Sequence, residues 1–463
     1  MLHHYQQLQK HLYPGDGKEA VAVAVYGRNE HGPNSMLLVR EIFLIPYDAC
    51  FVREGDNVQW PTEIINHLIE KAATEHLGLL KIHCHPGGYE NFSLKDDESD
   101  NNLFTSISAW IDDGLPHASC IMLPDGRIFG RFFSGEGEIT HVSQISVTGH
   151  DIINWHYSTK KQMDDSMQVR NMQAFGQKTV RMLNHMKCAV IGCSGTGSPV
   201  IEQLKRLGAG ELVLVDPDFV DFLNLNRIIN ATKEDAKEKR LKVDVMNRAV
   251  NEAGFGTLVT TFPTHLSYPE VVKELASCDV LFSCVDGAEG RHLLNLISSY
   301  YLIPLFDMGV KLLADGEGGI DGIYGTVHYI RPGGSSLLSR EQYDMETVRA
   351  ESLKRIDKAE FERNRYLAKV NESSPAVISV NMQVAATAVN EFLARIHPYR
   401  NIANEDVDAI RILFSDCSLY YESFPTPCPY FSRFTGVGDI EPLLNNIELS
   451  YAQKTEGTAQ GVL

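Results

Sequence analysis

The segment from Lys187 to Asp216 constrains the fold more than any other. A short apolar run, KCAVIG, breaks into G-C-S-G-T-G-S-P, and a helical stretch then stops at Gly208 before a second β-rich run, ELVLVD. Gly192, Gly195 and Gly197 let the main chain turn tightly and approach a phosphate, and Ser198-Pro199 opens a helix whose amino end favours anions. Gly208 sits where a helix-terminating glycine belongs. Asp216 follows Gly195 by 21 residues, the place from which a carboxylate reaches ribose hydroxyls. Strands and helices keep alternating down to VLFSCVDG, which implies a parallel sheet with helical crossovers.

A glycine loop alone reads by default as a nicotinamide dehydrogenase, and the downstream residues argue against that use. Asn224-Leu225-Asn226-Arg227, Lys242 in RLKVDV and Asp286 in FSCVDGAEGR stand there in that order. A dehydrogenase has no need of an Arg and a Lys converging on the phosphates, nor of an acid at the end of a later strand. An adenylating enzyme needs both, because cations neutralise charge developing on the α-phosphate and pyrophosphate while a carboxylate holds Mg²⁺ near them. The series G-x-x-G-x-G-S, D-P-D, N-L-N-R, K-V and V-D-G with a trailing Arg291 resembles the ThiF/MoeB family, the ubiquitin-activating-enzyme fold. VRNMQAFGQKTVRML resembles that family's lead-in helix and SVNMQVAATAVNEFL its late helix, so the resemblance spans about residues 165 to 400. It implies a Rossmann-like domain with a mostly parallel sheet that binds ATP and Mg²⁺. Gly192, Gly195 and Gly197 would form the nucleotide loop, Asp216 would hold the ribose, Asn224, Arg227 and Lys242 the phosphates, and Asp286 the Mg·ATP. Arg170 would reach the nucleotide of the partner subunit in a homodimer. One departure is plain: the family's D-x-G-x-x-K is here D-A-K-E-K-R-L-K, two residues longer. Lys239 or Arg240 can therefore share the role of Lys242, and the run also reads as a solvated charged turn.

A second constellation lies upstream, where residues 83 to 96 read H-C-H-P-G-G-Y-E-N-F-S-L-K-D. On a strand, i and i+2 share a face, so His83 and His85 can present two imidazoles to one ion while Cys84 faces away. Asp96 can add a third ligand from the following helix start, leaving a fourth position for water, as in a catalytic zinc site. Such a site also needs a base for the water's proton and a donor to the oxyanion, a part Ser93 can take. By itself H-x-H is more readily two ordinary strand histidines; Pro86, Ser93 and Asp96 in register set it apart. A zinc deaminase wants H-x-E and P-C-x-x-C, and the P-C-P-Y at 427–430 does not supply it. The spacing is similar to that of the JAMM (JAB/MPN) metalloprotease family over about residues 10 to 140. That resemblance implies cleavage of peptide or isopeptide bonds beside ubiquitin-like proteins, Zn²⁺ on His83, His85 and Asp96, and Glu19 as the base.

Relatives of the activating enzymes often pass the adenylated C-terminus to a cysteine between the late acidic loop and the final core helix. No cysteine lies between Cys284 and Cys417. IRPGGSSLLS resembles a place where relatives carry P-G-x-x-C-x-x-C, and Ser336 and Ser339 hold the two cysteine positions, so a structural zinc is lost as well. Ser373 and Ser374 stand near where the nucleophile would sit. Three outcomes are open: release of the adenylate to a partner enzyme or amine, an oxyester on Ser373 or Ser374 with the help of a base, or serines that only cap the next helix.

The chain carries 42 Lys and Arg against 60 Asp and Glu over 463 residues, a formal charge of −18, and shows no basic stripe. Nucleic acid is a poor partner for such a surface. Nine scattered cysteines without a CxxC pair fit a reducing cytoplasm. The start, MLHHYQQLQKHLYPGDG, lacks a signal-peptide core and no apolar run approaches the ~20 residues of a membrane span, so a cytoplasmic protein without a membrane partner is expected.

The expected organisation is an N-terminal α+β JAMM-type domain (1–150), a linker (151–169), a ThiF/MoeB-like domain (170–400) and a C-terminal extension (401–463). The implied activity is ATP-dependent adenylation of a ubiquitin-like protein's C-terminus together with zinc-dependent trimming or deconjugation, with a conjugating-enzyme-like partner. Bacterial conjugation operons, some in phage defence, are the context the resemblance suggests. The alternative is adenylation of a sulfur carrier or small peptide in cofactor or peptide-modification biosynthesis, the zinc domain trimming the carrier.

Overall fold

The computed structural model describes all residues except 30–34, 135–136, 158–164, 316, 357–360, 362–376, 447–448 and 450–463. The chain forms two compact units, Met1–Thr159 with Gly436–Glu441, and Lys160–Thr435 with Pro442–Leu463.

In the first unit, helix α1 (Leu2–Leu12) precedes β1 (Val21–Asn29), β2 (Met36–Leu44) and the short strands β3 (Val52–Arg53) and β4 (Val58–Gln59). Then come α2 (Asn66–Glu75), β5 (Gly78–Cys84), α3 (Leu94–Ile111), β6 (His117–Met122), β7 (Ile128–Phe133), β8 (Ile139–His141), β9 (Gln144–Thr148) and β10 (Ile152–His156). Six strands make one sheet in the order β2-β1-β5-β6-β7-β8. Its one parallel pair is β5 with β6, the pair that α3 connects. Strand β1 is buried on both faces, and its alternation sorts two cores. Val21, Val23 and Val25 pack with Leu68, Phe104 and Ile107 of α2 and α3, while Ala22 packs with Leu8 and Leu12 of α1, Ile82 and Cys84. The sheet of this region is therefore mixed.

In the second unit, α4 (Asp165–His185), broken at Gly176, leads into β11 (Lys187–Ile191), α5 (Gly197–Leu207), β12 (Glu211–Val215), α6 (Lys233–Lys237), α7 (Lys242–Ala253) and β13 (Leu258–Phe262). Next in the chain are α8 (Pro269–Leu275), β14 (Val280–Ser283), α9 (Ala288–Tyr301), β15 (Leu305–Ala314), β16 (Ile320–Ile330), α10 (Met345–Ile356), α11 (Ile378–Ile396), β17 (Ala409–Leu413) and β18 (Ser418–Glu422). The sheet runs β13-β12-β11-β14-β15-β16-β17-β18. Its first five strands are mutually parallel and the last three antiparallel. Chain order reverses across β11, so the crevice between the loops after β11 and β14 is a topological switch point, where ligands bind in open α/β sheets. Phe392 of α11 meets Phe282 and Phe306 edge-on, anchoring the late helix on β14 and β15.

Two expected boundaries differ from the structure. Strands β17 and β18 complete the large sheet, with Ala409 and Ile412 buried, so the segment after residue 400 is not an appendage. Ile152–His156, read as linker, is β10 and pairs with β9. Both segments are short and polar-flanked, and their strand character comes from the partner they pair with rather than from their own pattern.

Candidate functional sites

Antiparallel pairing sets Val21 opposite His83, which brings Glu19, just ahead of β1, to the histidine end of β5. The period of two then separates the side chains as expected. Cys84 turns into the α1 core, its Sγ donating to the Leu12 carbonyl at 2.9 Å. His83 and His85 share the other face, their Nε2 atoms 3.2 Å apart. Asp96 Oδ1 lies 2.9 Å from His83 Nε2, and Asp96 Oδ2 lies 3.4 Å from His85 Nε2. Ligand atoms of Glu19, His83 and His85 all fall within 4.8 Å of one another, and all three residues are buried. Two imidazole nitrogens and a carboxylate oxygen converging on one point are a chemically apt zinc ligand set, with Glu19 alongside. The His85 Nδ1 meets the Tyr89 carbonyl at 2.8 Å, a contact that fixes which ring nitrogen faces the cluster.

Ser93 and Asp96 are held by a local device that the motif spacing conceals. Ser93 is the N-cap of α3: its Oγ accepts from the Asp96 N–H at 3.2 Å and donates to Asp96 Oδ2 at 2.7 Å, and its own N–H also donates to that oxygen at 2.7 Å. S-x-x-D is thus a capping box as well as a ligand spacing. Burial works against the Asp96 carboxylate, but hydrogen bonds from His83 and His85 more than offset it and hold its pKa well below the usual range. Burial, opposed by His85 and reinforced by the charge of Asp96, pushes Glu19 up to about 7, the range of a base that works near neutrality.

In the second unit the glycine loop follows β11, and its shape requires glycine at two points. Gly192 has φ of +92°, and a Cβ there would lie 2.6 Å from the Cys284 carbonyl oxygen; a Cβ on Gly197 would lie 1.8 Å from the Gly192 oxygen. Asp216, just past β12, accepts from the Cys193 N–H at 2.7 Å and so holds the loop from below. Lys242, at the start of α7, is buried with Nζ 2.6 Å from Asp218 and 3.6 Å from Asp216. Burial raises the Asp216 pKa, with Lys242 opposing the rise. Gly195 is flanked by Arg227 and Asn381, whose Cδ and Nδ2 would stand 3.2 and 2.3 Å from a Cβ on it. Arg227 itself donates to the Leu223 carbonyl at 2.8 Å. Asp286 follows β14 and, with Arg291 and Glu351, lines a cavity of about 780 Å³. Arg291 is held by Asp307, Nε to Oδ1 3.1 Å, and Asp307 also accepts from Ser283 at 2.5 Å.

The expected residues thus divide. Gly192, Gly195, Gly197, Asp216, Arg227 and Lys242 gather around the loop, and Asp286 stands at the end of the adjacent strand β14. Asn224 turns back into its own loop, its Oδ1 accepting from the Asp221 N–H at 3.1 Å as a cap. Arg170 lies on α4 and donates to Gln173 at 3.0 Å. Ser373 and Ser374 fall outside the described residues. Ser336 and Ser339 bond reciprocally, each Oγ taking the other's N–H at 3.2 and 2.9 Å. Sequence reasoning does not find Asp218, Asn381 or Asp307: Asp218 lies in the D-P-D already noted, while the other two reach the site across long sequence separations.

A model of the ThiF family matches residues 166–419, more than half of the chain. The chain belongs to the ThiF family. Among curated proteins, the adenylyltransferase and sulfurtransferase UBA4 of Meyerozyma guilliermondii is 30% identical over 145 residues, 31% of this chain and 33% of that protein. The ubiquitin-like modifier-activating enzyme 5 of Aedes aegypti is 28% identical over 185 residues, 36% of this chain and 44% of that protein. The chain therefore spans less than half the length of these relatives. A distant likeness, with TM-score 0.43 and 14% identity over 88% of this chain and 98% of the other, links it to the crystal structure of E. coli MccB with ATP. The ThiF match covers β11 to β17 of the large sheet with their loops and reaches the first two residues of β18. No helix among the described residues is long and apolar enough to cross a membrane.

Proposed function

We propose that the ThiF-type unit adenylates the C-terminal carboxylate of a ubiquitin-like protein with Mg·ATP, and that the N-terminal unit is a JAMM-type zinc peptidase that trims or releases that protein. The observation that carries the first half is the gathering of the glycine loop, Asp216, Arg227 and Lys242 at the carboxyl ends of β11 and β12, at the switch point of a ThiF-family sheet. The reaction is an in-line exchange at the α-phosphorus: a carboxylate oxygen bonds to it and pyrophosphate leaves with the bonding pair. Lys242 and Arg227 would offset the charge on the phosphates, Asp216 would position the ribose, and Asp286 would hold Mg²⁺. The cavity beside Asp286 would receive the carrier's tail.

For the second half, bound zinc supplies Lewis acidity toward water and the scissile carbonyl. Glu19 takes the water's proton and returns it to the leaving amine, and the Ser93 hydroxyl turns from Asp96 to the developing oxyanion. Downstream of the adenylate, the absence of cysteine between Cys284 and Cys417 favours direct transfer to a conjugating-enzyme-like partner or an amine, with an oxyester on Ser373 or Ser374 as the other route. A homodimer through the ThiF-type unit would let Arg170 serve the partner's nucleotide, and a cytoplasmic setting suits ATP-dependent chemistry of this kind.

The name of UBA4, an adenylyltransferase and sulfurtransferase, favours a second reading in which the carrier delivers sulfur. ATP–pyrophosphate exchange separates the two. Exchange with a ubiquitin-like protein ending in Gly that is afterwards found joined to an amine supports the first, exchange with a sulfur-carrier protein in its carboxylate form or with a short peptide supports the second, and no exchange with any of them overturns adenylation.

A further inference from the structure

Beneath the histidine cluster lies a second set of contacts that the proposed reaction does not use. Alternation along β5 places Lys81 on the face that carries His83 and, one step on, His85, while Asp96 and Asp100 are one helical turn apart on α3. The two faces therefore meet twice: His83 and His85 on Asp96, and Lys81 on Asp100, with Nζ to Oδ1 of 2.6 Å. Asp100 is fully buried, and its other oxygen accepts from Arg131 of β7 at 2.8 Å. Arg131 also donates to Asp97 at 2.5 Å and lies 3.7 Å from the ring centre of Phe92. Its grip thus falls on both sides of the Ser93–Asp96 cap, on Phe92 before it and on Asp97 and Asp100 after it.

We infer that Lys81, Asp100 and Arg131 are positioning residues that lock α3 in the register where Asp96 reaches both imidazoles, so that the site is formed before zinc arrives. The inference rests on the zinc reading proposed for the N-terminal unit and concerns affinity rather than cleavage. A buried carboxylate shared by two cations is costly to break from one side, because the cations are then left without their partner. A helix freed from that anchor can slide or tilt by a fraction of an ångström, enough to spoil a three-ligand site.

The test is zinc affinity of the full chain, measured by competition with a chromophoric chelator. Asp100→Asn is expected to weaken zinc binding about 10–100-fold, the usual effect of losing support behind a ligand. Leu8→Ala, which opens the α1 core on the face of β1 turned away from α3, is the comparison: it should lower the unfolding midpoint of the N-terminal unit yet leave zinc affinity as in the wild type. Equal affinity in Asp100→Asn and wild type overturns the inference, as does an equal affinity loss in Leu8→Ala. If Asp100→Asn does not fold by tryptophan fluorescence, Arg131→Lys replaces it, keeping the charge but losing the fork between Asp97 and Asp100. It should then weaken zinc binding at least several-fold, and unchanged affinity counts against the inference. A wild-type chain that takes up no zinc fails at the earlier step and overturns the zinc reading itself.

Discussion

The buried carboxyl of Glu19 makes a prediction about stability that needs no substrate. In the metal-free protein its pKa rises from 4.5 to about 7. Such a rise corresponds to about 3 kcal/mol at full burial, and to about 1–2 kcal/mol once solvent screening on the open side of the site is allowed for. The sign comes from proton binding. Above pH 7 the carboxyl is ionised in both states and the native state bears the cost of burying the charge. Between 7 and 4.5 the native state binds a proton that the unfolded chain has released, so stability rises as pH falls. Below 4.5 both forms are protonated and no further gain accrues. Glu19→Gln, neutral at every pH, should therefore be more stable than the wild type by about 1–2 kcal/mol at pH 8, with the gap shrinking to about a quarter of that by pH 5. Urea unfolding of chelator-stripped protein, monitored by tryptophan emission, measures the correct unit. All three tryptophans, Trp60, Trp110 and Trp155, belong to the N-terminal unit, and Trp60 and Trp155 pack against its two separate cores. A variant no more stable than wild type at pH 8, or a gap that does not change between pH 8 and pH 5, refutes the reasoning. Zinc should then narrow the gap, since a cation beside Glu19 favours the carboxylate.

Three further outcomes are expected. Lys242→Met leaves Asp216 and Asp218 facing one another without their cation, so pyrophosphate exchange should disappear and the ThiF-type unit should lose about 1–3 kcal/mol in a thermal melt; wild-type exchange would remove Lys242 from the phosphate site. Gly197→Ala places a methyl 1.8 Å from the Gly192 oxygen, and an ATP titration should show binding lost while the tryptophan signal of the N-terminal unit unfolds as before. If the acyl group rests on serine, an adduct that is hydroxide-labile and thiol-stable should vanish from the mass spectrum of Ser373→Ala or Ser374→Ala; an adduct unchanged in both variants rules those serines out.

Local geometry decides which features are legible in the sequence. A strand has a period of two, so H-C-H assigns His83 and His85 to one face and Cys84 to the other without knowledge of the partner strands. Gly192 and Gly197 are equally legible, the first through its own positive φ and the second through its contact with Gly192 in the same loop. Asp216 is marked by its position at a strand end. Asn224 goes the other way for a local reason: a short polar side chain three residues past a helix cap finds the capping residue's backbone N–H before it finds a ligand. Strands β17 and β18 are obscured because Leu419, Tyr420 and Tyr421 are exposed and the run lacks alternation. The contacts of Asp100 with Lys81 and Arg131 span 19 and 31 residues, and no periodicity encodes which charges meet across a sheet.

Ser93 joins the two kinds of information. Its spacing to Asp96 is the spacing of a metal-site motif and also that of a helix cap, and the structure satisfies the cap in full. These readings reinforce one another. A ligand carried on the third residue of a helix is fixed only if the helix start is fixed, and the capping box fixes it with the very carboxylate that faces the histidines. Zinc binding would draw that carboxylate's charge away from the Ser93 hydroxyl, leaving the hydroxyl able to donate elsewhere while its oxygen still accepts from the Asp96 N–H. The bond from the hydroxyl to Asp96 would then be the resting state of the oxyanion donor, and the cap, with the ion pairs on Asp97 and Asp100, would keep α3 in place when the hydroxyl turns.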